Sequence, residues 1–169
     1  DVSEQPWREM VRLADAQQPE RLENFVSQLS SAQQALALSR LDDVEADRVL
    51  ETLRADDAAE LISHLTESQA AQTIGLLETE TAAAIVHELP SDEQADVLGD
   101  LDQQTAEAII DSLPSEDVES VRELTAYDDD VAGGLMVSEL LRFKGEMSVA
   151  QVIAQLSDQQ DRFDDYDIR

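Results

Sequence analysis

The chain contains no cysteine among its 169 residues. Without a thiol it can form neither a disulfide nor a zinc–thiolate site, and it has no cysteine nucleophile. This composition agrees with a reducing cytoplasm. We therefore expect the chemistry of any site to come from oxygen ligands.

Positive charge is also scarce, with 11 Lys and Arg against 39 Asp and Glu, which gives a formal net charge of -28. Such a surface repels nucleic acid and anionic lipid headgroups and attracts cations. The charge therefore predicts that nucleic acid is not a partner. It favours a function that involves metal cations.

Long apolar runs are absent, since none approaches the roughly 18 residues needed to cross a bilayer. The first residues, Asp1 to Pro6, have no signal-peptide character. We expect no direct membrane insertion by this chain, so that any membrane part would lie outside it. Aromatic residues make up only 4% of the chain, but apolar residues recur at helical spacing, which disordered acidic segments lack.

A leucine recurs at every twelfth position along most of the chain, which indicates an internal repeat. These leucines are Leu29, Leu41, Leu53, Leu65, Leu77, Leu89, Leu101 and Leu113. If this leucine is position 12 of each unit, apolar residues also occupy positions 5, 8 and 9, as Ala58, Leu61 and Ile62 do before Leu65. Steps of three and four place them on one face of a helix of about ten residues.

Capping signals at the unit junctions predict where each helix begins. Ser31 with Gln34, Thr66 with Gln69, and Ser91 with Gln94 fit the Ser/Thr-x-x-Gln capping box. A ten-residue helix cannot bury its apolar stripe alone, but stacked antiparallel pairs can. The fold class predicted is all-α, an armadillo-like superhelical solenoid of about ten short helices. It covers residues 18–125 after a first helix near residues 7–16, and the ninth unit, 114–125, breaks the pattern with Arg122 and Thr125 at core positions.

The pattern changes after Tyr127. Gly133 and Gly134 are the only adjacent glycines and mark a turn or linker. Beyond them, residues 140–143 are consistent with a strand and 149–156 with an amphipathic helix whose apolar residues, Val149 and Ile153 among them, face inward. One strand and one helix do not form a stable module, so this segment is predicted to begin a second domain of α/β class.

These features together resemble the cytosolic part of the MgtE family of magnesium transporters. The specific element is Asp130 to Met136, Asp-Val-Ala-Gly-Gly-Leu-Met, which follows the helical repeat. The resemblance implies an MgtE-type N domain over residues 1–126, a linker over 127–136, and a truncated CBS-domain start over 137–169. It also implies a place on the cytoplasmic side of the inner membrane and a homodimer when the protein is full length.

In this family the N domain and the CBS pair bind Mg²⁺ at their interface, and closure favours a shut pore. The resemblance nominates Glu60, within the segment Ala-Ala-Glu-Leu-Ile-Ser-His-Leu, as a metal ligand. It likewise nominates Asp92 and Asp96, within Asp-Glu-Gln-Ala-Asp. Carboxylates one helical turn apart can hold a divalent ion or its hydration shell. Alternatively, Asp92 suits the positive end of a helix dipole and Asp96 is an ordinary solvated residue.

Other motifs have simpler interpretations. Residues 128–139 approach a calcium loop, but Ala132 stands where an Asp or Asn ligand is expected, which favours a linker. His64 and His87 lie in different units without a zinc pattern and are predicted to be surface or half-buried residues. No phosphate loop or nucleophile elbow occurs, so no enzyme activity is predicted. A helical interaction scaffold resembling the flagellar motor protein FliG is the alternative function.

Overall fold

The structure is a computed structural model that describes residues 5–115, 117–126 and 147–158. Within those ranges it contains eleven α-helices and no strand. The helices are α1 Pro6–Asp15, α2 Pro19–Val26, α3 Ser31–Leu38, α4 Asp43–Thr52, α5 Ala55–Ser63, α6 Glu67–Ile74, α7 Thr79–Glu88, α8 Ser91–Gly99, α9 Gln103–Ser112, α10 Val118–Leu124 and α11 Val149–Asp158. Residue contacts divide the chain into two compact units, Asp1–Ser138 and Glu139–Arg169.

The first unit has the predicted helical repeat. From α2 to α9 a helix begins at every twelfth position, and α1 and α10 complete the ten helices expected. Helices two apart in sequence pack side by side, so that α3, α5, α7 and α9 form one layer and α4, α6, α8 and α10 the other. The first helix, α1, packs on α2, α3 and α4. This stacking gives each short helix the neighbours that it needs to bury its apolar face.

The core consists of the repeat positions that the sequence indicated. In α5, Ala58, Leu61 and Ile62 are at most 1% exposed, and the equivalent residues of α7, Ile85 and Val86, are buried to the same degree. Positions 8 and 9 carry the large side chains, while alanine at position 5 allows neighbouring helices to approach closely.

The leucines at position 12 are less uniformly buried than predicted. Leu53, Leu89 and Leu113 are buried, but the other five are half-buried, namely Leu29, Leu41, Leu65, Leu77 and Leu101. The buried three follow the ten-residue helices α4, α7 and α9, where the leucine itself adopts extended backbone and turns into the core. The other helices have eight or nine residues and end in further αR residues, which hold the leucine nearer the surface.

One of the three predicted capping boxes is present. Gln69 Oε1 accepts hydrogen bonds from the Thr66 hydroxyl at 3.0 Å and from its backbone N–H at 3.4 Å. The box predicted for Ser31 and Gln34 is wrong by one residue, because Ser30 and Gln33 form it.

The box predicted for Ser91 and Gln94 is also wrong, since Pro90 is the N-cap residue of α8. Gln94 is 8% exposed and its amide donates to the Leu89 carbonyl at 2.7 Å. Gln34 is equivalent and donates to the Val26 carbonyl at 3.0 Å. Both glutamines occupy position 5 of their units, so their side chains point into the core. Each amide donates a hydrogen bond to a backbone carbonyl at the end of the preceding helix.

The ninth unit departs from the repeat as expected. Its helix, α10, begins at Val118 and buries Val121 and Leu124. Arg122 stays exposed and donates to Glu107 and Asp111 of α9, each at 2.9 Å.

The second unit is described only through α11, which confirms the predicted helix. Val149 and Ile153 are 76% and 58% exposed, so the prediction that they face inward is wrong for the residues described. An apolar stripe is buried only against another element, and the described part of this unit contains no other. The predicted linker, 127–136, the calcium-loop alternative, 128–139, and the predicted strand, 140–143, lie outside the described residues. No helix in the described ranges is long and apolar enough to cross a membrane.

Candidate metal-binding surface

The three predicted metal ligands lie in a part of the sequence that has no basic counter-charge. Residues 55–121 contain 17 Asp and Glu residues and no Lys or Arg. Arg54 and Arg122 stand at the two ends of this stretch. Arg54 pairs with Asp56 and Asp57, and Arg122 pairs with Glu107 and Asp111. The carboxylates between these two ends have no Lys or Arg of the segment to neutralise them, so this part of the surface attracts external cations.

Glu60 is exposed on α5, one helical turn after Asp56 and close to Asp57. Burial raises the pKa of Asp57, and the neighbouring Asp56 raises it further, although Arg54 opposes both. An Arg54 nitrogen lies 3.9 Å from the Asp57 carboxylate, and Arg54 also pairs with Asp56. One arginine thus faces a group of carboxylates, and Glu60 extends that group along the same helix.

Asp92 and Asp96 are both half-buried on α8, and Asp92 belongs to its first turn. Their spacing of four places the two carboxylates one turn apart on one face of the helix. The Oδ1 atom of Asp92 is buried and accepts no hydrogen bond from the described residues. Two carboxylates at this spacing can hold a divalent ion or its hydration shell, although the buried Oδ1 itself is not open to solvent.

Glu93 is a residue of this surface that the sequence did not indicate. Its Oε2 accepts a hydrogen bond of 2.6 Å from the Ser63 hydroxyl and so ties α8 to the end of α5. Glu93 and Asp96 line a groove of about 480 Å³ between α6 and α8. Ser63 and Glu93 belong to different units of the repeat, so no local pattern could have signalled the contact.

The structure does not bring the three predicted ligands into one site. Glu60 lies on α5, whereas Asp92 and Asp96 lie on α8. In the part of the chain that the structure describes, no group of three His, Cys, Asp or Glu residues is arranged to hold a metal ion. Pairs of carboxylates nevertheless suit Mg²⁺, which keeps several of its waters and uses few protein ligands.

The two histidines belong to different helix ends, His64 to that of α5 and His87 to that of α7. His64 is half-buried and His87 is exposed, in agreement with the sequence interpretation. The Nδ1 atom of His87 lies 3.1 Å from the Asp117 carboxylate, which links the end of α7 to the start of α10.

Comparison with known proteins places this architecture in a family. The sequence model of the MgtE intracellular N domain matches residues 2–85 and 30–130, in two overlapping stretches. None of the curated protein sequences compared with the chain matches it.

Two solved structures have the same fold. The soluble part of a magnesium transporter superposes with a TM-score of 0.79 at 20% identity, over 95% of this chain and 63% of that one. The cytosolic domain of the Mg²⁺ channel MgtE, solved in complex with ATP, gives a TM-score of 0.72 at 26% identity, over 83% of this chain and 58% of that one. The chain therefore spans about 60% of the length of these structures. By its matched sequence and its fold, the chain belongs to the MgtE family and carries that family's intracellular N domain.

Proposed function

We propose that this chain is the Mg²⁺-sensing regulatory part of a magnesium transporter, placed on the cytoplasmic side of the membrane and without catalytic activity. Its partners are the CBS domains and the pore of the same full-length protein, which acts as a homodimer. The observation that carries this proposal is the stretch of 17 carboxylates without a Lys or Arg in a chain of the MgtE family.

Electrostatic repulsion provides the switch. When Mg²⁺ is scarce, the excess of carboxylates in residues 55–121 would repel a CBS surface that is also acidic and so favour separation. Mg²⁺ ions held between Glu60, Asp92 or Asp96 and the CBS pair remove this repulsion. Weak binding by a few carboxylates at several places suits a sensor of cellular, near-millimolar Mg²⁺.

Linkage connects this binding to the pore. The ions bind the closed arrangement more tightly because only there do both surfaces supply ligands. They therefore shift the equilibrium toward the closed state. The size of this shift is limited by the ratio of the Mg²⁺ affinities of the closed and open states. Closure of the cytosolic domains would then favour a shut pore.

A triple substitution in the full-length transporter tests the proposal. Glu60→Gln, Asp92→Asn and Asp96→Asn together should raise the Mg²⁺ concentration for half-maximal protection from protease by roughly tenfold, which corresponds to about 1.4 kcal/mol of lost differential binding. The matched control removes the same charge from exposed residues of α4 and α7 through Glu51→Gln, Glu80→Gln and Glu88→Gln. Its response should stay within about twofold of the parent.

The results of this experiment distinguish a wrong choice of ligands from a wrong function. A well-folded triple variant whose Mg²⁺ response overlays that of the parent would show that these three residues are not the ligands. A full-length protein that has the same protease pattern with and without Mg²⁺ would favour the FliG-like scaffold instead. Circular dichroism of each variant controls for loss of structure.

A further inference from the structure

Two grooves flank helix α6 on the layer formed by α4, α6 and α8. The groove between α4 and α6 has a volume of about 140 Å³. Leu41, Leu65 and Leu76 are among the residues that line it, and Leu76 is 47% exposed. This volume has room for one side chain of about leucine size, and polar residues also line the groove, namely Ser39, Asp42, Asp43, Gln69, Gln72 and Thr73.

The groove between α6 and α8 is larger, about 480 Å³, and combines charge with an apolar floor. Glu67, Glu93 and Asp96 supply carboxylates, while Ile62 and Val97 lie among them. Leu65 lines both grooves, so they adjoin one another at the turn between α5 and α6.

Charge decides what kind of partner fits these grooves. Neither groove is lined by a Lys or Arg, and Asp42 and Asp43 stand beside the leucines of the smaller one. A second copy of this chain, with its own net charge of -28, is not the partner expected at these two acidic grooves. A partner with basic residues would be attracted, and exposed apolar surface bordered by charge is typical of binding sites for other polypeptides.

We propose that the two grooves form one docking surface for a basic amphipathic segment of a partner polypeptide. An apolar side chain of leucine size occupies the α4–α6 groove beside Leu76. An Arg or Lys side chain occupies the α6–α8 groove, with its methylene groups on the apolar floor and its charged end against Glu67. This interaction goes beyond Mg²⁺ sensing, since it requires neither the ion nor a CBS pair.

The test uses the present chain and a fluorescein-labelled peptide of four helical turns, with Leu on one helical face and Lys on the other. Binding is measured by fluorescence anisotropy at near-physiological ionic strength. Leu76→Ser should weaken binding by at least tenfold. Leu36→Ser is the matched control, because Leu36 is 48% exposed and lines neither groove; it should change binding by less than twofold.

Two further substitutions leave the core untouched. Gln72→Lys places a positive charge at an exposed residue lining the α4–α6 groove and should weaken binding severalfold. Glu67→Gln should weaken binding and reduce its salt dependence more than Glu80→Gln, since both residues lie in the first turn of a helix but only Glu67 lines a groove.

Three results would overturn the proposal. They are equal effects of Leu76→Ser and Leu36→Ser, parental affinity of the Gln72→Lys variant, and equally tight binding of a peptide whose leucines are replaced by serine. The last would mean that the acidic surface attracts any basic peptide through charge alone. Melting curves of each variant confirm that the comparison is made on folded protein.

Discussion

Helices α1–α4 and helices α5–α9 share one repeat but differ in charge. In both regions the repeat helices start at every twelfth position, and the same positions of the unit are buried. Residues 1–54 contain six arginines against 11 Asp and Glu, whereas residues 55–121 contain no Lys or Arg against 17. The fold therefore depends on the apolar pattern and tolerates a large difference in charge balance.

Several arginines of the first region make contacts within it, whereas Arg54 pairs with Asp56 and Asp57 at the start of the second region. Arg48 of α4 pairs with Asp15 at the end of α1, and the guanidinium of Arg40 lies 6.0 Å from the centre of the Trp7 ring. In the second region, carboxylates instead accept hydrogen bonds from hydroxyl groups, as Asp100 does from Ser68 at 3.2 Å. A hydroxyl satisfies one lone pair but leaves the charge, so this region retains its attraction for external cations.

The largest loss of stability should come from truncating a core leucine, and it should be similar in both regions. Leu50 of α4 and Leu98 of α8 occupy position 9 of their units and are 1% and 2% exposed. Changing either to alanine should lower the free energy of unfolding by about 2 to 5 kcal/mol, as large-to-small core substitutions do. Urea unfolding measures both values. A clearly smaller loss at Leu98 would show that the two regions differ in packing as well as in charge.

Mg²⁺ should stabilise the chain through its second region. At a concentration of roughly five times its dissociation constant, Mg²⁺ should add about 1 kcal/mol to the free energy of unfolding, beyond the effect of NaCl at matched ionic strength. Asp92→Asn with Asp96→Asn should remove this increment. The control Glu20→Gln with Glu51→Gln, in the first region, should preserve it. Equal stabilisation by the two salts would mean that Mg²⁺ acts on this chain by screening alone.

Arg122 directly follows the second region, and its loss should lower the free energy of unfolding more than the loss of an arginine in the first region. It serves both Glu107 and Asp111, each at 2.9 Å, whereas Arg48 serves Asp15. Arg122→Gln should cost about 0.5 to 1 kcal/mol at low salt, the upper part of the range for exposed pairs, and Arg48→Gln should cost less. Thermal unfolding at two NaCl concentrations tests both. An equal loss for the two variants would contradict a special need for cations in the second region.

Two carboxylates of opposite pKa shift should give effects on stability that change with pH in opposite directions. Burial raises the pKa of Asp57, so the folded protein binds this proton more tightly than the unfolded chain. Protonated Asp57 therefore adds to the stability of the folded protein at a pH below the pKa that Asp57 has in the unfolded chain. This stability is lost as the pH rises through the higher pKa that Asp57 has in the folded protein. Asp57→Asn should therefore raise the melting temperature slightly at neutral pH, and the gain should vanish toward about pH 3.

Asp102 is the control of opposite sign. Hydrogen bonds from the Thr105 hydroxyl and from backbone N–H groups lower its pKa, and it caps α9. Ionised Asp102 therefore adds to the stability of the folded protein at a pH above the pKa that Asp102 has in the unfolded chain. This stability is lost as the pH falls through the lower pKa that Asp102 has in the folded protein. Asp102→Ala should therefore lower the melting temperature at neutral pH, by an amount that shrinks in acid. Parallel pH profiles for the two variants would contradict these assignments.

The sequence predicted the helices well and the contacts between them less well. The leucine spacing indicated the ten helices of the solenoid, and the Thr66–Gln69 cap is as expected. The caps proposed at Ser31 and Ser91 were wrong because a buried position 5 draws Gln34 and Gln94 into the core. That competition depends on the neighbouring helix, which a local motif does not describe.

For the candidate metal ligands too, the sequence predicted the local arrangement but not the contacts between helices. Their helices and their shared face on α8 follow from local spacing, whereas the buried Oδ1 of Asp92 and the Ser63–Glu93 contact do not. Both depend on how α8 packs against residues far away in the sequence. The roles of Glu60, Asp92 and Asp96 as ligands remain predictions, to be tested with the variants described above.

The sequence by itself determined where each repeat helix starts, to within a residue, which face is apolar and where the charge is concentrated. These properties depend on residues within about four positions of one another, or on composition alone. Only the tertiary structure decided that Leu89 is buried while Leu65 is half-buried, and that α6 has a groove on each side. The burial of a repeat leucine depends on where its helix ends and which neighbours cover it, and stacking brings those neighbours from units two repeats away.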